Sequence, residues 1–307
     1  MKKLFLITAL LASSLYTVAQ RFEDYFDDRT LRLDYTFAGC DVLHEIYVDE
    51  LVSLPHWYGR RQRLAELPLR GNGQITVRSK VDSVVIYRQA FSTLFQEWLA
   101  TDEAKHTQKS FENVFLVPFP KDPVEIKVEL FDYHNEVVNS LTHTVDPKDI
   151  LIRKAGERSV TPYDVLAGTP YEHIIILVNT EHYGGGGIYN SYNLSYTGGK
   201  HFLLVVVHEF GHSFGGLGDE YTYGNDDPMY FDDTEPWEPN LTTKATAFIK
   251  WENLIKAGKA GLYEGGGYQE KGVWRGCENC RMRTNEEPEF CAVCQQALKK
   301  LIDFYTD

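Results

Sequence analysis

The sequence predicts an α+β protein in which an N-terminal antiparallel β-sandwich precedes a mixed α/β domain. Three observations predict it: short alternating strands fill the first half, a polar stretch with prolines follows them, and an apolar helix carrying His-Glu-x-x-His lies in the second half. The chain has 307 residues, 43% of them hydrophobic and 13% aromatic. That length and composition suit one large or two ordinary packed domains and exclude a disordered chain.

The first nineteen residues have the pattern of a signal peptide. Lys2 and Lys3 give a positive start, residues 4–15 are mostly apolar, and residues 17–19 are small enough for cleavage after Ala19. The apolar run is shorter than the ~20 residues that a membrane span needs. We therefore expect an exported protein, periplasmic, at the cell surface or secreted, with no transmembrane span in the mature chain.

The mature chain is strongly acidic. Removal of the signal peptide would take away two lysines and no acidic residue, so the net charge would change from -13 to -15. So acidic a protein repels phosphate backbones, which argues against a nucleic-acid partner. Part of this charge lies in one stretch rich in Pro, Asn and Gly, for which a solvated loop is the default interpretation and a Ca²⁺ site the alternative. Its acids are Asp226, Asp227, Asp232, Asp233, Glu235 and Glu238.

The pattern of apolar and polar residues over 20–155 predicts the β-sandwich. Apolar and polar residues alternate over 30–37 and strictly over 124–131, and glycines at 71–73 mark a turn. About eight short strands of this kind suggest two packed antiparallel sheets. Residues 91–100 fit either a short helix or another strand.

A second domain is predicted over residues 156–307, with its boundary in the polar stretch between Asp146-Pro147 and Thr161-Pro162. Residues 173–179 are apolar and predict a fully buried strand, and the glycine run 184–187 follows it. Residues 188–196 fit either an exposed edge strand or an ordinary solvent-facing hairpin.

The apolar run 201–207 predicts a helix buried all round, which continues into a metal-binding motif. With ~3.6 residues per turn, His208 and His212 lie on one face and can both reach one metal ion. Glu209 points about 100° away round the helix, near enough to hold the attacking water. The motif therefore predicts a catalytic zinc site with Glu209 as the catalytic base.

A zinc hydrolase usually takes a third protein ligand and leaves the fourth position to water. Gly215, Gly216 and Gly218 can end the helix in a left-handed turn and bring the chain back towards the metal. Asp219 is the predicted third ligand, and Glu220 is the runner-up. An acid that does not ligate can orient the imidazoles by accepting hydrogen bonds.

The run HEFGHSFGGLGDEY at residues 208–221 resembles the signature of the M64 family of metallopeptidases, whose founding activity is cleavage of immunoglobulin A. Further matches follow in the expected order, so the resemblance covers roughly residues 160–307 with specific motifs and the β-rich segment before it more loosely. They are Trp251, Tyr263-Glu264-Gly265, Gly267-Tyr268, Trp274-Arg275, Cys280-Arg281-Met282 and Phe290-Cys291-x-x-Cys294.

The resemblance implies a metzincin-like zinc peptidase domain. Met282 would form the methionine turn beneath the metal, although a methionine can also fill a core gap with no such role. Tyr268 or Arg275 would contact the substrate or the oxyanion. The metzincin third-ligand position falls on Gly218, one residue before Asp219, so this chain departs from that pattern.

Four cysteines form C-x2-C-x10-C-x2-C: Cys277, Cys280, Cys291 and Cys294. That spacing is typical of a structural zinc site, but export to an oxidising compartment favours disulfides or partly free thiols by a small margin. Three disulfide pairings would be open. Cys40 stands alone and is predicted to be a buried free thiol.

Together these patterns predict an exported zinc-dependent endopeptidase that uses one Zn²⁺ ion and Glu209 to hydrolyse a protein or peptide. The alternative is a surface module that binds glycan or protein through Trp57, Tyr58 and Trp98, with a zinc domain that is subordinate or hydrolyses a non-peptide substrate. Immunoglobulin does not transfer as the substrate, because cleft residues rather than metal ligands select it.

Overall fold

The computed structural model describes residues 21–154, 166, 169, 171, 173–224, 230 and 234–306. The predicted signal peptide, most of the acidic stretch and part of the predicted domain boundary lie outside these residues. The helices are α1 (Phe22–Tyr25), α2 (Leu94–Leu99), α3 (Phe202–Ser213), α4 (Glu252–Lys256) and α5 (Ala292–Thr306), with a 3-10 turn at Asp102–Lys105. The strands are β1 (Phe26–Cys40), β2 (Leu43–Leu54), β3 (Gly73–Ser79), β4 (Val85–Phe91), β5 (Lys109–Pro120), β6 (Val124–Phe131), β7 (Val137–Val145), β8 (Arg153–Lys154), β9 (Ile174–Val178), β10 (Gly185–Ile188), β11 (Tyr192–Tyr196), β12 (Leu241–Thr242), β13 (Tyr263–Gly266) and β14 (Gln269–Arg275).

The fold is mixed α+β, as predicted, and its N-terminal part holds two four-stranded sheets. Their strand orders are β5-β1-β2-β8 and β4-β3-β6-β7, antiparallel throughout except for the short parallel β2–β8 pair. The predicted alternation in β6 is observed, with every second residue from Val124 to Leu130 buried. Leu33 of β1 and Ile75 of β3 belong to one hydrophobic core, so residues from both sheets bury their apolar faces together.

Within residues 91–100, Phe91 ends strand β4 and Leu94–Leu99 form helix α2, so this segment is a short helix and not another strand. Thr93 caps the helix: its hydroxyl oxygen accepts from the Gln96 amide at 3.1 Å and donates to the Gln96 side-chain oxygen at 3.0 Å. Phe95 and Trp98 pack into the N-terminal core. The helix therefore belongs to the packed body of the domain.

The sheet next to helix α3 has the order β10-β11-β9, antiparallel between β10 and β11 and parallel between β11 and β9. Of the two alternatives for residues 188–196, the exposed edge strand is wrong for Tyr192–Tyr196, which is the central strand and pairs in a hairpin with the edge strand β10. The prediction of a fully buried strand at β9 is also wrong, because Ile175 and Leu177 are 45% and 54% exposed. β9 is the other edge of this sheet, so its outer side chains reach solvent in the part of the chain that the structure describes.

Helix α3 packs one face against β10 and β11 and is not buried all round as predicted. Val205 is buried, whereas Leu203 and Val207 are 69% and 42% exposed. A single sheet covers the helix on one side, so apolar residues on its other side face solvent within the described residues. A fourth sheet, β12-β14-β13, and helices α4 and α5 also belong to the second half.

No helix within the described residues combines the length and the apolar character needed to cross a membrane.

Candidate metal centre

Helix α3 carries the whole His-Glu-x-x-His motif. The Nε2 atoms of His208 and His212 lie 3.1 Å apart, one helical turn from each other on the same face. Glu209 lies between them in sequence, and its side chain is only 9% exposed. The motif geometry predicted from the sequence is therefore observed.

The glycine-rich segment after α3 reverses the chain as predicted. Gly216 has a φ of +59°, and its amide donates to the His212 carbonyl at 2.8 Å. The turn places the Leu217 carbonyl 2.5 Å from Nδ1 of His212. The next residues then run back across the helix and deliver Asp219.

Asp219 completes a three-residue group. Its Oδ1 lies 2.9 Å from Nε2 of His208 and 3.2 Å from Nε2 of His212, and the carboxylate is 7% exposed. Glu220 turns the other way and places its Oε1 3.3 Å from the Cys294 thiol. The structure therefore groups Asp219, and not the runner-up, with the two histidines as a candidate metal site.

The arrangement of hydrogen bonds shows that this group fits a divalent cation. Nδ1 of His208 donates to the Arg281 carbonyl at 2.9 Å, and Nδ1 of His212 donates to the Leu217 carbonyl. Each Nε2 therefore keeps a lone pair, and both lone pairs face the Asp219 carboxylate. Zinc bonds of ~2.0–2.1 Å in a tetrahedron separate ligand atoms by about 3.3 Å, close to the observed spacing.

Backbone and side-chain contacts hold Asp219 in place. The Tyr268 hydroxyl donates to Oδ2 of Asp219 at 2.5 Å, and the Gly267 amide donates to its main-chain carbonyl at 2.7 Å. Tyr268 itself has a φ of +68°, in the left-handed region that few residues other than glycine adopt. The loop between β13 and β14 thus aims the free Oδ1 at the histidines.

Asn240 is a positioning residue that the sequence analysis missed. Its side-chain oxygen accepts from the Gly218 amide at 2.7 Å, and its nitrogen donates to the Gly218 carbonyl and to Oε1 of Glu220, both at 2.9 Å. The side chain is fully buried. It hydrogen-bonds to the residues on both sides of Asp219. No sequence motif identifies an isolated asparagine as a positioning residue.

Met282 lies beneath helix α3. It is fully buried, and a Cβ at Gly211 would lie 2.7 Å from its sulfur, so the glycine inside the motif allows the two to meet. The Met282 carbonyl accepts from the Glu220 amide at 2.8 Å. This is the place at which the family resemblance put the methionine turn.

Before a cation binds, Asp219 and the two rings favour a proton between them, and a bound cation would displace that proton. Burial would raise the pKa of Asp219, but the His212 and His208 rings outweigh it and hold that pKa well below its usual range. Burial would lower the pKa of His212, but Asp219 outweighs it and raises the pKa to about 10. Burial raises the pKa of Glu209, which makes its carboxylate a stronger base.

Glu97, on α2 of the N-terminal part, is a second residue that the sequence analysis missed. Its side chain reaches solvent, yet burial by the surrounding protein raises its pKa to about 7, with His212, Asp219 and Glu209 all acting on its charge. An acid from the first half of the chain therefore lies within electrostatic range of the metal centre of the second half. Nothing in the sequence near α2 signals this.

Arg275 is engaged away from the metal centre. Its guanidinium donates to the carbonyls of Glu264 and Gly265, both at 2.7 Å, and to the carbonyl of Glu278 at 3.2 Å. These bonds tie β14 to β13 and to the following turn. Its predicted contact with substrate or oxyanion has no support in these bonds.

The cysteines form no disulfide, so of the two states that the sequence narrowly favoured over zinc, disulfides or partly free thiols, only free thiols agree with the structure. All five are free thiols, and Cys40 is partly rather than fully buried. The sulfurs of Cys280 and Cys291 each lie 3.7 Å from that of Cys294. At that spacing the sulfurs are too far apart for a disulfide bond of ~2.05 Å.

The two described acids of the acidic stretch are held by protein partners, although Oε2 of Glu238 has no hydrogen-bond partner among the described residues. Glu235 accepts from the Thr243 amide at 3.0 Å and pairs with Lys250 at 3.3 Å. Glu238 accepts from the Tyr230 hydroxyl at 2.7 Å and is 9% exposed. The four aspartates of the prediction lie outside the described residues.

The fold and this group of residues define a metallopeptidase. The family described as Peptidase M64 N-terminus matches residues 21–142, and the family described as IgA Peptidase M64 matches residues 90–260 and 256–302. The chain therefore belongs to the M64 peptidase family, as the resemblance indicated. Among curated proteins, none matches the sequence.

Proposed function

We propose that this protein is an exported zinc-dependent endopeptidase in which Glu209 acts as the general base. The observation that carries the proposal is the meeting of two imidazole Nε2 atoms and Oδ1 of Asp219 within 3.2 Å, beside a buried carboxylate. Family membership supplies the reaction class. The proposal includes a β-sandwich over residues 20–155 and a metzincin-like domain over 156–307.

His208, His212 and Asp219 would hold the zinc ion, which supplies polarisation of the scissile carbonyl and a lowered pKa for the attacking water. Glu209 accepts the proton of that water and passes it to the leaving amine. Its burial favours this transfer, because a carboxylate with a raised pKa holds the proton more readily. Tyr268 orients Asp219 through its hydroxyl, whose single proton is used in that bond, so the predicted oxyanion contact of Tyr268 has no support in this geometry.

We propose that the substrate binds in an extended form beside β10. A Cβ at Gly185 would lie 2.3 Å from Oε1 of Glu209, and one at Gly187 would lie 2.2 Å from the Glu209 carbonyl, so β10 runs directly against the catalytic turn of α3. Among the described strands, β10 pairs with β11 alone. Its other edge can hydrogen-bond to a peptide backbone, which gives affinity without sequence preference.

The surface-binding alternative loses much of its support. Trp57 and Trp98, two of its three predicted contact residues, are 7% and 8% exposed and belong to the N-terminal core. Tyr58 alone reaches solvent, at 36% exposure. One exposed tyrosine does not make a binding surface.

The experiment that tests the proposal compares Glu209→Gln with the wild type on an unstructured protein substrate. We expect hydrolysis to fall by at least ~100-fold while the zinc content stays unchanged, because the variant removes a proton acceptor and no ligand. Glu252→Gln, at an exposed carboxylate on α4, is the matched control and should retain full activity. Equal hydrolysis by Glu209→Gln and wild type would refute the assigned base.

Export is tested separately by the mass of the mature protein. Cleavage after Ala19 leaves Gln20 as the new N-terminus. A mature chain that retains residues 1–19 would contradict this part of the proposal and leave the catalytic assignment untouched.

A further inference from the structure

A second group of metal-binding atoms lies behind the metal centre. It consists of the sulfurs of Cys277, Cys280, Cys291 and Cys294, with the carboxyl group of Glu220 beside them. The sulfurs of Cys280 and Cys291 lie 3.7 Å from that of Cys294, and the Cys277 thiol contacts those of Cys280 and Cys291. Cys280 and Cys294 are fully shielded from solvent. The catalytic mechanism uses none of these groups.

The sulfur spacing is that of a zinc tetrathiolate. A zinc–sulfur bond of ~2.3 Å in a tetrahedron separates neighbouring sulfurs by about 3.8 Å, and the observed separations are 3.7 Å. The sulfurs of Cys280, Cys291 and Cys294 and the Glu220 carboxyl lie within 4.8 Å of one another. The Cys277 thiol, which donates to the Asn279 carbonyl at 2.9 Å, adjoins this group. The C-x2-C-x10-C-x2-C spacing brings two pairs of ligands from separate parts of the chain, as structural zinc sites do.

Two further contacts point to a bound cation. The Cys291 amide donates to the Cys280 sulfur at 3.2 Å, a hydrogen bond that stabilises a thiolate. Oε2 of Glu220 is completely buried and has no hydrogen-bond partner among the described residues, while Oε1 faces the Cys294 sulfur. An acceptor left unpaired in the protein interior is costly, and its place beside the sulfurs makes Glu220 the residue whose replacement distinguishes ligation by four sulfurs from ligation by three sulfurs and a carboxylate.

We propose that the four cysteines bind a second, structural Zn²⁺ ion. Glu220 lies against the cluster without ligating, because four sulfurs already complete a tetrahedron. The site has no open position for water and so is not catalytic. Ligation also protects the thiols from oxidation if the protein is exported, since zinc-bound sulfurs are not free to form disulfides.

This second ion would stabilise the metal centre through two short links. The residue after Cys280 is Arg281, whose carbonyl accepts from Nδ1 of His208, and the next residue, Met282, accepts from the Glu220 amide. The two residues after Cys280 therefore hydrogen-bond to the catalytic ligand His208 and to Glu220, the neighbour of the catalytic ligand Asp219. Loss of the second ion should loosen both.

The test begins with the wild-type protein, purified without chelators. Elemental analysis should give two zinc ions per chain, and titration with p-hydroxymercuribenzoate, which binds thiolates, should release one of them. Replacement of zinc by Co²⁺ should give an intense sulfur-to-cobalt charge-transfer band. One zinc ion per chain, or two disulfides found by mass under non-reducing conditions, would overturn the proposal.

Variants separate the two sites. Cys294→Ser should lose one ion and the charge-transfer band, whereas Cys40→Ser, the control cysteine outside the cluster, should keep both. His212→Ala should lose one ion and keep the band, and Glu209→Gln should keep two ions, so failure of the catalytic proposal is distinguishable from failure of this one. Glu220→Gln should keep two ions; loss of the second would overturn ligation by four sulfurs. If Cys294→Ser does not fold, the wild-type cobalt band and mercurial release decide.

Discussion

A methyl group at Gly185 should displace the catalytic carboxylate without removing a metal ligand. The added Cβ would lie 2.3 Å from Oε1 of Glu209 and 2.8 Å from Cγ1 of Val205. Ordinary contact needs ~3.5 Å, so the carboxylate oxygen must move by about 1 Å. Both obstructing atoms are ends of side chains, so the fold absorbs the change cheaply while the carboxylate leaves its position.

A displacement of ~1 Å in a catalytic group typically costs about 100-fold in rate, or about 2.7 kcal/mol of transition-state stabilisation. We expect Gly185→Ala to lower kcat/KM on an unstructured protein by that factor, with unchanged zinc content and an unchanged Tm. Gly184→Ala, immediately before the strand, is the matched control, because a Cβ there meets nothing within 4 Å. If Gly185→Ala retains activity within about threefold of Gly184→Ala, Glu209 is not positioned by β10 and the reasoning fails.

Three other substitutions test the surroundings of the site. Tyr268→Phe removes the hydrogen bond to Asp219 and should weaken zinc affinity by about 10–100-fold in a chelator competition; unchanged affinity would exclude this orienting role. Asn240→Ala leaves the buried amide and carbonyl of Gly218 without their partner, so it should lower the free energy of unfolding by about 2–4 kcal/mol in a denaturant titration. A loss below about 0.5 kcal/mol, the size of a neutral surface change, would contradict the role of Asn240 in holding this segment. Glu97 ionises as the pH rises past its raised pKa of about 7, so the preference of the wild type for basic substrate residues should increase across that pH. A similar increase in Glu97→Gln would show that Glu97 is not the cause of this preference.

The features that the sequence predicted correctly are local. His208 and His212 meet because four residues make about one helical turn, and Gly216 supplies the left-handed turn that glycine alone adopts freely. The sequence left residues 91–100 open between helix and strand, although Thr93 and Gln96 have the spacing of a capping box, which favours the observed helix α2.

The features that the sequence did not predict depend on which elements become neighbours. Leu177 of β9 and Val207 of α3 belong to apolar runs that suit full burial, yet both are exposed because each element is covered on one side only within the described residues. The glycines of β10 were visible as a turn signal. In the structure these glycines let β10 lie close to Glu209 of α3. That contact depends on the helix and the strand being neighbours, which no local sequence pattern encodes.

The choice between Asp219 and Glu220 shows the same limit at the scale of one residue. Both are acids that follow the glycine turn, so spacing alone favours neither. Asn240 fixes the chain on both sides of Asp219, and as a result the two carboxyl groups diverge, one to the histidines and the other to the cysteines. If each group holds an ion, this dipeptide connects the catalytic and the structural metal by adjacent residues. Two acids in sequence are then required, because each satisfies a different site.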